Sequence, residues 1–383
     1  MPSADTRRVP ADRRARRPFV VVPATLGRYI AGVTVTGVLV VAAAFAVLAF
    51  LIDLIEHLRS AAERGVAWWT AVELTALRLP SLLDRIWPFA VLFGAMLAFW
   101  RLNRGGELVA VRATGVSAWQ FLTPACLVAA LLGVVVVTTL NPLTAALAAR
   151  YERLEQRAFD GGGAQVAIFA AGIWLKQETA DERLVISAER MRAGEPLRLE
   201  EVTVFVYDAE GDYARRLDAA SAVLEEGRWE LEATRLSDDT GLGQPLGAYT
   251  IPTEVGADAI RRSFRGPETL SFWELRDYIA LLEELGFSAR EHRVHFQSLL
   301  SMPLFFAAML LTGVTFTLRF QRGGGGGRLL PVGLVGGFAF FILVDVVRAL
   351  GVSGQLPPPM AAWTPTVVAL MLGSAALFQL EDG

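Results

Sequence analysis

Long uncharged apolar runs alternate along the chain with short arginine-bearing segments, and one long polar segment divides them in the middle. The first run, Tyr29 to Ile52, is 24 residues without a charge. At 1.5 Å per residue, a helix of that length crosses a ~30 Å hydrocarbon core with some tilt. The second, Ile86 to Trp100, is uncharged for only 15 residues. A span needs ~20, so this helix must begin earlier and carry Asp84 and Arg85 near one end. The third lies within the uncharged stretch Ala113 to Ala149, at about Trp119 to Leu140, and is expected to end near Asn141-Pro142. Three more follow the polar segment, at about Leu299 to Leu318, Leu329 to Val347 (containing Asp345) and Trp363 to Leu380. The expectation is six transmembrane helices, three on each side of an insert.

The insert has a different period. Glu201 to Tyr207 (EVTVFVY) alternates two faces with β-branched and aromatic residues, the pattern of a half-buried strand. Asp208 to Asp212 is a turn cluster. Arg228 to Leu236 is expected to put Trp229, Leu231, Ala233 and Arg235 on one face. Ile168 to Leu175, Leu184 to Ala188 and Ala248 to Ile251 are weaker strand candidates. Several short strands separated by turns suggest an antiparallel sandwich or jelly roll. The flanks read as helical: Leu143 to Phe159 extends span three outward, and Phe272 to Leu285 repeats apolar residues at three- and four-residue steps.

Composition agrees with a membrane protein bearing a polar domain. Of 383 residues, 53% are hydrophobic and 20% charged, and the mean hydropathy is +0.42; a soluble domain carries about 25% charge. Cys126 is the only cysteine, which excludes an internal disulfide and a Cys-based zinc site. Charge gives the orientation. The arm up to Arg28 holds seven arginines against two aspartates, net +5; the loop Arg101 to Arg112 nets +2 and the loop Arg319 to Arg328 nets +3. Six spans put all three on one face, which the positive-inside rule makes the cytoplasm, with both termini there. Residues 150–294 lie opposite, with 28 acidic and 18 basic residues, net −10.

Two export signals compete with the first span. A cleaved signal peptide would have an apolar core of about 7–15 residues and a small-residue cleavage site. Here the run is longer and leads into Asp53-Leu54-Ile55-Glu56. Arg16-Arg17 resembles a twin-arginine signal, but several further spans follow.

Catalytic patterns are missing. No G-x-x-x-x-G-K-[ST] loop occurs, and Gly323 to Gly327 leads into Arg328 rather than a P-loop lysine. His292 and His295 lack the spacing of an H-E-x-x-H helix and read as surface histidines near a membrane interface. No resident cofactor or metal is expected, nor is nucleic acid a partner. Two features remain. Asn103 to Trp119 contains a short amphipathic helix with Glu107, Leu108, Val111 and Arg112 on one side, ending at Thr114-Gly115 as a glycine C-cap. It reads as a docking helix for a cytoplasmic partner or as a plain basic loop. Ionisable residues also gather at the span edges: Asp53, Glu56, Arg59, Arg78, Asp84, Arg85, Asp345 and Arg348. Charges in spans face a cavity or a partner, or snorkel to the interface.

These residues resemble a known family. Gly27-Arg28-Tyr29-Ile30, Leu58-Arg59-Ser60-Ala61, Pro88 to Ala95 (PFAVLFGA), Gly106 to Ser117 (GELVAVRATGVS), Ile173-Trp174-Leu175-Lys176, Leu270 to Leu275 (LSFWEL) and Pro357-Pro358 are similar to the permeases of the lipopolysaccharide-export ABC transporter, the LptF/LptG (YjgP/YjgQ) family, and most to its LptG branch. The likeness covers about Leu26 to Leu380. Gly105-Gly106 departs from it where a polar residue is usual, and Asp53 departs where some relatives carry a basic one.

The resemblance implies an inner-membrane permease with a periplasmic all-β jelly-roll-like domain. It divides the chain into a cytoplasmic basic arm (1–28), spans one to three (29–142) with a coupling helix at about 103–117, the periplasmic domain with helical flanks (143–294), and spans four to six (295–383). It implies a heterodimer with a paralogous permease, a cytoplasmic ABC ATPase dimer that consumes the ATP, and a membrane-anchored periplasmic bridge protein with its own jelly roll. Lipopolysaccharide is the implied cargo. Glu107, Leu108, Val111 and Arg112 would receive the ATPase, and Arg59, Arg78, Arg85 and Arg348 would meet lipid A phosphates, since a guanidinium fork suits phosphate. Two other readings stand beside it: the same architecture moving another lipid or a lipoprotein, and a membrane-anchored periplasmic sensor or scaffold.

Overall fold

The structure is a computed structural model. It describes residues 24–159, segments between 165 and 253, and 265–284, 287–322 and 329–382. The basic arm before residue 24 and the glycine run Gly323 to Gly327 lie outside the described residues. Among the described residues there are nine α-helices and seven strands. In chain order they are α1 (Ala24–Arg64), α2 (Trp68–Arg104), α3 (Glu107–Ala113), α4 (Ala118–Val135), α5 (Asn141–Phe159), then β1 to β7, then α6 (Phe272–Glu284), α7 (Arg290–Arg322), α8 (Leu329–Val352) and α9 (Pro358–Asp382).

Six helical stretches are long and apolar enough to cross a membrane: Ala24–Arg64, Trp68–Arg104, Ala118–Glu155, Arg290–Leu318, Val335–Val352 and Pro358–Gln379. Three precede the sheet in the chain and three follow it. The first two exceed the apolar runs that announce them. At 41 residues, α1 is about 60 Å long, so its last turns stand clear of a ~30 Å core. Gly65 ends it at φ +68, and Val66 donates its N–H back to the Ala61 carbonyl at 2.9 Å, the left-handed cap that glycine adopts without strain. Helix α2 runs through Pro80 and Pro88 without ending.

Span three does not end at Asn141-Pro142. A π-helical turn, Val136–Leu140, joins α4 to α5, so one continuous helix carries through. A proline is tolerated at such a junction because the regular i→i−4 ladder is already interrupted there. Asn141 is buried, and its Oδ1 accepts the Phe272 N–H at 2.7 Å. The span thus caps the first turn of α6.

The sheet is a seven-stranded antiparallel meander in the order β1-β2-β3-β4-β5-β6-β7. The strands are β1 (Gln165–Phe169), β2 (Gly172–Glu178), β3 (Arg183–Arg192), β4 (Leu197–Tyr207), β5 (Tyr213–Glu225), β6 (Arg228–Ser237) and β7 (Gln244–Pro252). Neighbours in sequence are neighbours in space, so the order has none of the crossovers of a Greek key. One apolar face is nonetheless buried, with Ile186, Leu197, Val204, Leu217, Trp229 and Leu231 at its centre. The sheet covers that face by curling. Gln177 of β2 donates from Nε2 to the Pro252 carbonyl at 3.1 Å and accepts from the Thr253 hydroxyl at 2.8 Å. Five strand spacings separate β2 from β7, about 24 Å if flat, so the far strands meet only because the sheet folds over.

Positive-φ residues interrupt the alternation in β4 and β6, and the second corrects the predicted faces. Buried positions in β4 run Leu197, Leu199, then Val202, Val204, Val206, and the parity changes at Glu201, φ +55. In β6 the buried face is Trp229, Leu231, then Thr234. Ala233, at φ +53, is exposed and breaks the alternation expected of Trp229, Leu231, Ala233 and Arg235. In β4 the register to β3 and β5 runs on unchanged past Glu201, so the buried face changes there without an extra residue; in β6 the pairing with β7 shifts around Thr234, the irregularity of a bulge. Ile168 to Leu175 is likewise not one strand but the two arms of a hairpin, with Ile168 opposite Ile173.

Candidate functional site

The two ends of the helix bundle carry different chemistry. At the end shared with the sheet, α2, α7, α8 and α9 enclose a cleft of about 160 Å³. Its apolar wall includes Phe89, Phe305 and Phe341; its polar side carries Asp84, Arg85, His295, Asp345, Arg348 and Glu268. Glu268 lies in the 3₁₀ turn Pro267–Thr269 that returns the chain from the sheet. Its Oε1 is 3.5 Å from a guanidinium nitrogen of Arg85 and 3.9 Å from one of Arg348. Two arginines from different spans thus converge on one carboxylate at the mouth of an apolar cleft.

The turn is held from behind. Arg265 donates to the Thr269 carbonyl at 2.5 Å, and His292 Nε2 lies 3.0 Å from the Arg265 carbonyl. Thr269 and Leu270 are buried. Neither histidine has the surface position expected. His292 is buried, and His295 lines the cleft with a buried Nε2 that makes no hydrogen bond. The helix periodicity places both on the face of α7 that turns toward the returning chain. Beyond the turn, α6 starts with a capping box: Glu274 accepts from the Ser271 N–H at 3.1 Å and from its hydroxyl at 2.9 Å. These bonds, the backbone one first, hold the Glu274 carboxyl below its ordinary pKa.

The four arginines expected at lipid phosphates divide. Arg85 and Arg348 meet in the cleft. Arg59 lies outside it: its side chain is 81% exposed and pairs with Glu63 one helical turn on. Arg78 is committed to a buried network between α1, α2 and α5. It donates to Asp53 Oδ1 at 3.1 Å and lies over the Tyr151 ring at 5.6 Å. Asp53 and His57, one turn apart, are 6% and 5% exposed; His57 Nδ1 is 3.2 Å from Asp53 Oδ2, and its Nε2 is 3.3 Å from the Tyr151 hydroxyl. This network gives Asp53 a structural occupation, since an inward carboxylate neutralises Arg78 where a basic residue would repel it. Glu268, His57 and Tyr151 escaped the sequence reading because each acquires its partners only through long-range folding.

The opposite end carries α3. Gly106 enters it at φ +72 and Gly115 leaves it at φ +84, which makes a sharply bounded helix of seven residues. Leu108 is buried and Val111 packs against the bundle core. Both therefore anchor the helix and are not on its outer surface, as direct docking contacts would require. Glu107, Val109 and Ala110 face outward, and Arg112 is half-buried. Leu108, Val111 and Glu107 border a small pocket with Leu26 and Tyr29 of α1. The helix thus contacts the start of span one as well as the end of span two.

Six long apolar helices with a separate antiparallel sheet define a polytopic membrane protein with an extramembrane β-domain. The sequence model of the family described as "Lipopolysaccharide export system permease LptF/LptG" matches residues 28–379, so the chain belongs to that family. The lipopolysaccharide export system permease protein LptG of Haemophilus influenzae is 23% identical over 367 residues, covering 91% of this chain and 96% of the relative. LptG of Escherichia coli K12 is 24% identical over 348 residues, covering 89% and 94%.

Proposed function

We infer that the chain is the membrane permease of a lipopolysaccharide export system, embedded in the bacterial inner membrane and working with a paralogous permease as a heterodimer. The observation that carries this is the family match from residue 28 to 379, which runs through both sets of spans and the sheet. Arginine counts favour cytoplasmic termini, an α3 on the cytoplasmic face and a periplasmic sheet. In this reading a separate cytoplasmic ABC ATPase dimer docks on α3 and consumes the ATP, and the permease holds no cofactor of its own. Glu107 and Val109 offer the outward contact, while Leu108 and Val111 pass its displacement to α1 and α2. At the other end, Arg85 and Arg348 take a lipid phosphate while the apolar wall of the cleft receives acyl chain. In this reading the curled sheet hands the lipid to a membrane-anchored bridge protein that carries a jelly roll.

Glu107→Ala tests the coupling arm. In complexes reconstituted with the paralogue and the ATPase, ATP-driven release of lipopolysaccharide should fall at least tenfold while the complex still assembles. Unchanged transport together with unchanged ATPase association would refute the assignment.

A further inference from the structure

The two cleft arginines do not stand open. Three carboxylates line the same cleft, Asp84, Asp345 and Glu268, and only Glu268 lies within ion-pair distance of Arg85 and Arg348. Asp84 and Arg85 share one helix, as do Asp345 and Arg348, so their positions are tied to the spans. Glu268 comes from elsewhere: it is the middle residue of the three-residue turn Pro267–Thr269 that brings the chain back from the sheet. Its side chain is 42% exposed and its distances of 3.5 and 3.9 Å are long for a charge-assisted bond. The contact is therefore weak and open to exchange. His295 lines the same cleft with a buried, unpartnered Nε2, a further polar group that a ligand there can satisfy.

We propose that Glu268 is an internal competitor for the phosphate of the transported lipid: its carboxylate occupies the Arg85–Arg348 fork until a lipid phosphate displaces it and frees the turn 267–269. This rests on the reading that the fork binds lipid phosphate, and it adds a regulatory consequence. A phosphate monoester offers more acceptor oxygens and more charge than a carboxylate, so it can engage both arginines at closer range. The turn it expels lies between the sheet and α6 in the chain. Filling the cleft is thereby reported to the β-domain side of the protein through the chain itself. The ligand class is a phosphorylated lipid, since the phosphate site opens onto a wall of phenylalanines.

The experiment uses the full complex in nanodiscs, with lipopolysaccharide, the same lipid enzymatically dephosphorylated, and inorganic phosphate as probes. Lipid affinity is measured alongside hydrogen exchange at the Thr269 and Leu270 amides, which bond to the carbonyls of Gly266 and Pro267. Glu268→Gln should bind lipopolysaccharide roughly fivefold tighter, the upper range for removing an exposed competing ion pair. Its two amides should exchange faster even without lipid. Glu268→Asp, with a shorter reach, should fall between it and the wild type. In the wild type, lipopolysaccharide should raise exchange at these amides and the dephosphorylated lipid should not. If Arg85→Ala and Arg348→Ala weaken binding while Glu268→Gln changes neither affinity nor exchange, the competitor is refuted and the fork survives. If the arginine variants bind normally, the fork itself is refuted. Release of the turn by inorganic phosphate alone would overturn the lipid as the displacing ligand.

Discussion

Replacing Gly94 by alanine tests how the first two spans are held together. Gly94 of α2 faces α1, and a methyl group built there lies 2.4 Å from the Val38 Cα and 2.7 Å from its nitrogen. Relaxed carbon contacts are about 3.5–4.0 Å. The obstructing atoms are backbone, so no rotamer change makes room, and the helices must separate by about 1 Å. The seam is equally tight from the other side, where a methyl at Gly37 would lie 2.6 Å from the Gly94 carbonyl oxygen. In lipid an apolar side chain gains little by leaving acyl chains for a neighbouring helix, so close contact itself carries the association. A gap of 0.5–1 Å forfeits about a quarter to a half of each dispersion well across the seam. Overpacking costs about 1–3 kcal/mol, and better helix propensity returns about 1 kcal/mol at most. Gly94→Ala should therefore destabilise by about 1–2 kcal/mol. Gly32, on α1, is the control: a methyl there has nothing within 4 Å, so Gly32→Ala should be neutral or stabilising by up to about 1 kcal/mol. Unfolding in detergent micelles titrated with SDS, followed by tryptophan fluorescence, reads both. A Gly94→Ala midpoint equal to or above that of Gly32→Ala would refute the argument.

Asp53→Asn should cost about 1–3 kcal/mol, because it leaves Arg78 and His57 without the carboxylate they share; Arg78 is 40% exposed, which keeps the loss below that of a fully buried pair. The double variant with Arg78→Gln should recover part of this in the same titration, and strict additivity would show that the pair is not coupled. Ser271→Ala should cost about 1 kcal/mol by opening the α6 capping box, read by faster hydrogen exchange across Phe272–Glu284. Because the folded Glu274 pKa is depressed, its contribution is present above the ordinary glutamate value of about 4.3 and is lost as pH falls through the lower folded value. Acid destabilisation of α6 should therefore be weaker in Glu274→Gln than in the wild type. Ala233→Gly should stabilise the sheet by up to about 1 kcal/mol, since glycine takes φ +53 without the left-handed penalty; a lower thermal midpoint would contradict the bulge assignment.

The six apolar runs correspond to six long helices because period and hydrophobicity are local properties. Helix lengths were less legible. The terminal turns of α1 and α2 carry charges that leave the apolar run yet remain helical, and the π-turn at Val136–Leu140 has no composition of its own. Strands with strict alternation, such as Glu201 to Tyr207, were readable. The longest strand, Tyr213–Glu225, was not, because Arg215, Arg216 and Asp218 interrupt its apolar positions. The positive-φ breaks at Glu201 and Ala233 were invisible, since neither residue type announces such a conformation. At the candidate site, Arg85 and Arg348 could be named from their places at span ends. Arg59 and Arg78 looked the same in sequence, and only the fold shows that one pairs along its own helix and the other pairs with the buried Asp53. Glu268 had no signal, because its place beside α2 and α8 depends on where the whole sheet returns the chain.

The hydrogen bond from Phe272 to Asn141 gives the β-domain an unusual mounting. The chain leaves the bundle along span three and comes back at α6, and these outgoing and incoming segments are joined by that buried amide and by the packing of Val137 against Leu270 and Leu275. The domain is therefore carried on one axle rather than two. Span three positions both of the segments between which the sheet is inserted in the chain.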